Sequence, residues 1–214
     1  MSARRGGLAD EIVTHVRAQI LSGKMQPGAK VDQEQIAIDL DVSRSPIREA
    51  LVILGQEGLV DITPRRGAFV SRIRREDVID HYQLFGLVAG RVAAMAAVEF
   101  STEQQYKLKD IHDQFVKADM SDAAQLNHDF HALINSVAPG RTRWLLAHLE
   151  RSIPAGFVGD SPGWMPKAVA DHQLILDAIM RSDGSGARQA MEAHLNDAGK
   201  TAVEALEQTG FWAG

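Results

Sequence analysis

Near the N-terminus the apolar positions fall into two short helical stripes separated by a turn. Ile36, Ala37 and Leu40 share one face of a segment from Gln33 to Leu40, and Ile47, Leu51 and Leu54 share one face of the next. Asp41-Val42 makes the turn between them. Ser43 or Ser45 can cap the second helix, and Pro46 suits its opening turn, where a missing N–H costs little. Arg44, Ser45 and Arg48 fall opposite the apolar stripe. Two short helices joined this way, with cations at the head of the second, match a helix-turn-helix whose second helix enters a DNA major groove.

Gly58-Leu59 ends that helix, and VDITPRRGAFVSRI then supplies two short β-prone runs around Pro64-Arg65-Arg66-Gly67, the pattern of a hairpin wing. From Thr63 to Arg75 there are five arginines (Arg65, Arg66, Arg72, Arg74, Arg75) and no acid. Such a tip can reach a phosphate backbone or the minor groove, with Gly67 allowing positive φ and close approach. A solvated basic turn linking two domains is the plainer reading, and its position directly after a helix-turn-helix argues against it.

From Arg75 onward the pattern is helical, with no strand signal after Val70. Glu76 and Asp77 bias a helix start that runs through LVAGRVAAMAAVEF. Ser101-Thr102-Glu103 caps a second helix to about Ala118, and Ser121-Asp122 a third, AAQLNHDFHALINSV. Pro139-Gly140 breaks it; a fourth helix follows from Thr142 to Ile153, then a loop-rich stretch, 154–166, and two helices over 167–182 and 186–208. No internal repeat or low-complexity tract is found. The expected fold is mainly α: a winged helix-turn-helix over residues 1–74 and an all-α six-helix antiparallel bundle over 75–214.

Charge supports that division. The net charge of −5 over 214 residues conceals 12 Lys/Arg against 10 Asp/Glu in residues 1–76 and 11 against 18 in the rest. So weakly basic a head binds DNA loosely and with strong salt dependence, and two copies on two half-sites would remedy that. No run of about 18 apolar residues occurs, so no membrane span is expected. Arg4 and Arg5 are not followed by the apolar core of a signal peptide. The lack of cysteine excludes disulfides and thiolate metal sites and fits a cytoplasmic location.

A second constellation lies in the helical half. Asn127 and His131, four residues apart, project from one helix face about 6 Å apart along its axis. His172 and His194 sit on the last two helices, with Leu176, Ile179, Met191 and Leu195 around them, which turns both imidazoles inward. Three neutral imidazoles and an oxygen donor suit one divalent ion such as Zn²⁺ or Ni²⁺ with open positions for a ligand. Separate core histidines bonded to carbonyls are the alternative. His15, His81, His112 and His148 lack a defensible partner spacing and read as solvated or boundary residues; His128 is out of phase with Asn127. Arg91, Arg141 and Arg143 are the candidates for gripping an acidic ligand, with Arg91 and Arg143 foremost. Trp144, Trp164 and Trp212 read as core or interface residues.

Several motifs occur together in order: ILSGKMQPGAKV (20–31), DVSRSPIREAL (41–51), GQEGLV (55–60) and PRRGAFV (64–70). On these the chain resembles GntR-type transcription regulators of the FadR-like subfamily. Its second half resembles their all-helical FCD-type effector domain through HDFHALI (128–134), DHQLILDAI (171–179) and ARQAMEAHL (187–195). The resemblance implies DNA contacts from Ser43, Arg44, Ser45, Arg48, Arg65 and Arg66, with Gly67 at the wing tip. It also implies a metal held by Asn127, His131, His172 and His194. Three departures stand out. Asp41 replaces the usual turn glycine, Glu34 and Gln35 leave the first helix of the motif without a base, and Asn127 replaces an aspartate. The family's usual carboxylate-gripping arginine falls where Phe85-Gly86 stands here.

The expected protein is a homodimeric DNA-binding regulator, in the repressor sense first, on an inverted-repeat operator and under control of a small organic acid. A metal-dependent hydrolase or lyase using the three histidines is the rival from another class. It lacks a general base, because Asp129 and Asp171 have the wrong helical phase. A regulator whose pocket works without metal is the third reading.

Overall fold

The computed structural model describes residues 7–152 and 163–212, which form two compact units. The N-terminal unit opens with α1 (Leu8–Leu21), followed by α2 (Gln33–Asp39), α3 (Arg44–Gln56), β1 (Val60–Thr63) and β2 (Gly67–Val70). Helix α1, absent from the expected elements, buries Ile12, Val13, Val16, Ile20 and Leu21, largely against α3. The α3 stripe of Ile47, Leu51 and Leu54 is buried as its spacing requires. Asp32 caps α2, its side chain accepting from Glu34 N and Gln35 N at 3.0 Å each. At α3, Ser43 is the cap residue but its hydroxyl makes no capping bond, and Ser45 already lies inside the helix.

The hairpin pairs Val60 with Val70 and Thr63 with Gly67. Its other edge is covered by residues 28–31, through Gly28 N to Val70 O (2.8 Å) and Val31 N to Ala68 O (2.9 Å). A buried ion pair ties α1 to the end of α3: Arg17 Nη2 donates to both oxygens of Glu57 at 2.7 Å, and Glu57 is only 7% exposed. Removing Arg17 leaves the Glu57 carboxylate, the more deeply buried member, without its partner. Arg17→Ala is therefore expected to destabilise this unit by about 3 kcal/mol in urea unfolding; a loss below about 1 kcal/mol would make the pair a surface-like contact.

The second unit contains α4 (Arg75–Glu99), α5 (Thr102–Lys117), α6 (Met120–Asn135), α7 (Gly140–Ser152), α8 (Trp164–Met180) and most of α9 (Gly184–Gln208). Among the described residues these six helices make up the unit, with no strand after Val70. The core joins Val92, Ala93 and Ala96 of α4 to Leu108, Phe130, Ile134, Leu146, Ile175, Ile179 and Met191. Ser101 forms a capping box with Gln104 at the start of α5, as the sequence suggests.

Other boundaries differ from expectation. Asp119 caps α6, accepting from Ser121 N and Asp122 N, so the helix starts before Ser121-Asp122. Helix α7 begins at Gly140, two residues early, and its expected last residue, Ile153, lies outside the described residues. Helix α8 starts at Trp164, inside the stretch expected to be loop; residues 153–162 are outside the described residues. Asp183 accepts from Gly186 N (2.8 Å), which lets α9 begin at Gly184.

By their internal contacts, Arg75–Val203 form one unit, and in the other the described residues up to Arg74 cluster with those from Glu204 onward. Phe211 is buried there, and Trp212 Nε1 donates to Ile73 O at 2.7 Å. No helix of the described residues is long and apolar enough to cross a membrane.

Candidate nucleic-acid interface and histidine cluster

Asp41 adopts φ 50° between α2 and α3, a left-handed turn that an aspartate tolerates better than most residues. The turn exposes the head of α3: Ser43, Arg44, Ser45 and Arg48 all face solvent. Arg44 Nη2 lies 3.1 Å from Glu34 Oε1 on α2. Lys30, Gln33, Glu34, Arg44 and Arg48 line one open groove. At the wing tip, Thr63 O accepts from Arg66 N (3.1 Å), Arg65 has φ 62° and Gly67 φ 112°. Holding Arg65 left-handed costs about 1 kcal/mol and swings two exposed guanidinium groups out from the turn. Helix head and wing thus present cations on one unit.

In the second unit α6, α8 and α9 bring His131, His172 and His194 together, their candidate ligand nitrogens all within 4.8 Å of one another. The imidazole centroids are 5.0 to 5.2 Å apart. His172 is fully buried, stacked on Phe130 at 4.2 Å, and neither of its ring nitrogens has a hydrogen-bond partner among the described residues. A buried, doubly orphaned imidazole is costly unless something else takes its lone pair. The donor set therefore fits a divalent ion, which the carbonyl-bonded alternative does not provide for His172.

His194 is different: its Nδ1 lies 3.2 Å from Asp171 Oδ2. Asp171 in turn pairs with Lys167 (3.2 Å), and Lys167 with Asp197 (2.9 Å). This carboxylate orients the imidazole so that Nε2 is left to face a ligand. Burial pushes the Asp171 carboxyl up, but the hydrogen bond from His194 and the charge of Lys167 leave it below the ordinary value. The wrong helical phase that disqualified Asp171 as a base is what directs it to His194.

Burial, then the neighbouring imidazoles, pushes His131 down to about 3 and His172 well below 6.5. Both rings are thus neutral and ligand-competent at neutral pH. The unfolded chain protonates them near 6.5, taking up protons the native state refuses. The stability of the neutral cluster is complete above 6.5 and is lost as pH falls toward 3. For metal-free protein, urea unfolding at about pH 7 and about pH 4 should differ by about 3 kcal/mol from His131 alone; a flat profile would show the ring titrating normally.

A cavity of about 70 Å³ opens onto the cluster. Asn127, His131 and Asn135 of α6 and His194, Leu195 and Ala198 of α9 form two walls; Tyr82 and Phe85 of α4, Glu150 of α7 and Trp164 complete it. Phe85 thus contributes an apolar ring where the family resemblance leads one to look for a guanidinium. The foremost arginine candidates do not line it: Arg91 Nη1 reaches Thr142 Oγ1 (3.5 Å) and Arg143 Nη2 donates to Ala138 O (3.2 Å). Arg141 is exposed and also outside the lining. Trp164, read as core, does touch the cavity, while packing edge-on against Phe115. Glu150, unmarked by any sequence signal, enters from α7 and meets His128 Nδ1 at 3.1 Å.

The remaining histidines sort by burial. His112 is buried, contrary to the boundary reading, with Nε2 3.1 Å from Gln173 Oε1, and burial lowers its pKa. Its neighbour Phe130, 6.1 Å away, draws it into the same core. His81 donates to Leu149 O (3.0 Å), and His148 stacks on Trp144. His15 is half-buried on α1.

An exposed recognition helix and basic wing on one unit, joined in the same chain to an all-helical second unit, define a class of DNA-binding transcriptional regulator. Residues 8–70 match the family described as bacterial regulatory proteins, gntR family, and residues 80–197 match the FCD domain; the chain belongs to the GntR regulators with an FCD domain. It is 26% identical to the transcriptional repressor RspR of Escherichia coli, over 94% of this chain and 92% of that one. To an HTH-type regulator from an unstable DNA locus of Streptomyces ambofaciens it is 31% identical, over 86% and 80%. Among solved structures, Lar, which controls expression of the agr system in Listeria monocytogenes, superposes with a TM-score of 0.63 at 17% identity, covering 94% of this chain and 99% of that one. Escherichia coli McbR/YncC gives 0.62 at 18%, covering 95% and 98%. These relatives are regulators, not enzymes, and nothing in them supports the hydrolase or lyase reading.

Proposed function

We propose that this regulator is a cytoplasmic homodimeric repressor whose affinity for an inverted-repeat operator is set by a small organic acid in the second unit, bound through a divalent ion. The observation that carries the reading is the trio His131, His172 and His194 beside a cavity with no lysine or arginine among the described residues that line it. With no carboxylate among the four expected ligands, the ion keeps its positive charge and supplies the attraction for a carboxylate that no guanidinium provides. Asn127, a weaker donor than aspartate, lowers affinity for the ion and leaves a coordination position for the acid. Arg44 and Arg48 read base edges in the major groove, with Ser43 and Ser45 beside them, while Arg65 and Arg66 hold the backbone around Gly67.

Control of DNA requires the acid to bind the operator-competent and incompetent arrangements unequally. A thermal-shift screen of small organic acids on chelated and Zn²⁺- or Ni²⁺-loaded protein tests the site. L-Lactate belongs in the first panel because one relative, 28% identical, is named as a putative L-lactate dehydrogenase operon regulator. Stabilisation confined to the loaded protein is expected, growing with acid concentration over its dissociation constant. Equal shifts in chelated protein would favour the metal-free pocket.

A further inference from the structure

We propose that Glu34 is a specificity-determining positioning residue: its carboxylate holds the Arg44 guanidinium away from phosphates and yields it to a base edge. The pair joins the second residue of α2 to the first residue of α3, with 3.1 Å between Glu34 Oε1 and Arg44 Nη2. Both side chains lie at the mouth of the groove that Lys30 and Arg48 also line. They are 73% and 64% exposed, so the contact is weak and exchangeable.

The other acid in the groove behaves differently. Asp32 spends its Oδ1 on the two amides that cap α2, so its charge is held at the helix start. Glu34 has its carboxylate directed across to the recognition helix. A phosphate approaching the groove could also take the guanidinium with two oxygens, but as an anion it is repelled by that carboxylate, whereas a base edge carries no net charge. A guanine edge offers two acceptors, O6 and N7, matched to the guanidinium fork. The exchange therefore favours a base contact over a backbone contact. Glu34 acts chiefly by weakening binding to the wrong sequences, and so raises the ratio of specific to non-specific affinity.

The test uses full-length protein and fluorescence anisotropy on two duplexes: one of random sequence, and one enriched by the wild-type protein from a random library. E34Q is expected to bind the random duplex roughly fivefold tighter per copy, the upper range for releasing an exposed pair. Its slope of log affinity against log salt should steepen by about 0.9 as Arg44 gains a phosphate. The ratio of enriched to random affinity should fall. On an R44A background E34Q should have no such effect, which separates action through Arg44 from bulk charge. Restoring the carboxylate as E34D should return part of the specificity ratio.

Unchanged or weaker random-duplex binding by E34Q would overturn the proposal, as would an equal gain in the R44A background. The proposal rests on Arg44 contacting DNA, and R44A alone tests that. Wild-type affinity of R44A for the enriched duplex sinks the readout assignment; a weakened R44A beside an inert E34Q sinks only the role of Glu34.

Discussion

Arg44→Ala or Arg48→Ala should abolish specific duplex binding while the second unit keeps its ligand. A well-formed bidentate contact to a base edge discriminates by about 1–3 kcal/mol. In a two-fold dimer each substitution removes two such contacts, so the operator loses on the order of a hundredfold or more in affinity. Both side chains are exposed at the head of α3, away from the buried face of Ile47, Leu51 and Leu54, so the fold should be unharmed. Arg65→Ala or Arg66→Ala at the wing should act differently: a milder, sequence-independent loss with the salt slope reduced by about one. A gel-shift titration at two salt concentrations separates the two patterns. Unchanged operator affinity for Arg44→Ala and Arg48→Ala would refute the assigned readout.

The unequal legibility of these features has physical causes. Ile47, Leu51 and Leu54 betray their helix because burial of one face imposes a local period, and the Pro64 to Gly67 turn betrays its hairpin through local backbone demands. Helix α1 carried the same signal, Ile12, Val16 and Ile20, and could have been found by periodicity. Other features are non-local. Phe211 and Trp212 return to the N-terminal unit through contacts that no spacing encodes. The apolar neighbours of His172 and His194 turn both rings inward, but that they meet His131, and that Asp171 supports His194, depends on how α6, α8 and α9 pack. Counting cations in the helical half cannot say which face they occupy, so Arg91 and Arg143 were natural candidates and Glu150 was invisible. Capping was legible where one side chain had a clear advantage, as at Ser101, and ambiguous where acids and hydroxyls adjoined, as around Asp119.

His172→Leu offers a sharp separation of sensing from stability, because at this position the two should move in opposite directions. The imidazole is fully buried, stacked on Phe130 at 4.2 Å, with both nitrogens unpartnered among the described residues. Each buried polar atom without a partner costs about 1–3 kcal/mol. A leucine of similar volume removes that cost, at the expense of some repacking against Phe130 and Phe115. Chelated His172→Leu protein should therefore be at least as stable as chelated wild type, and by up to about 2 kcal/mol more so. Zinc at a hundred times its dissociation constant should stabilise the wild type by about 2.7 kcal/mol and the variant not at all. If His172 were only a packing residue, the substitution would lower stability in both conditions and zinc would leave both proteins alike. The predicted crossing, with the variant the more stable without zinc and the wild type the more stable with it, is the behaviour of a residue kept for coordination against the preference of the core around it.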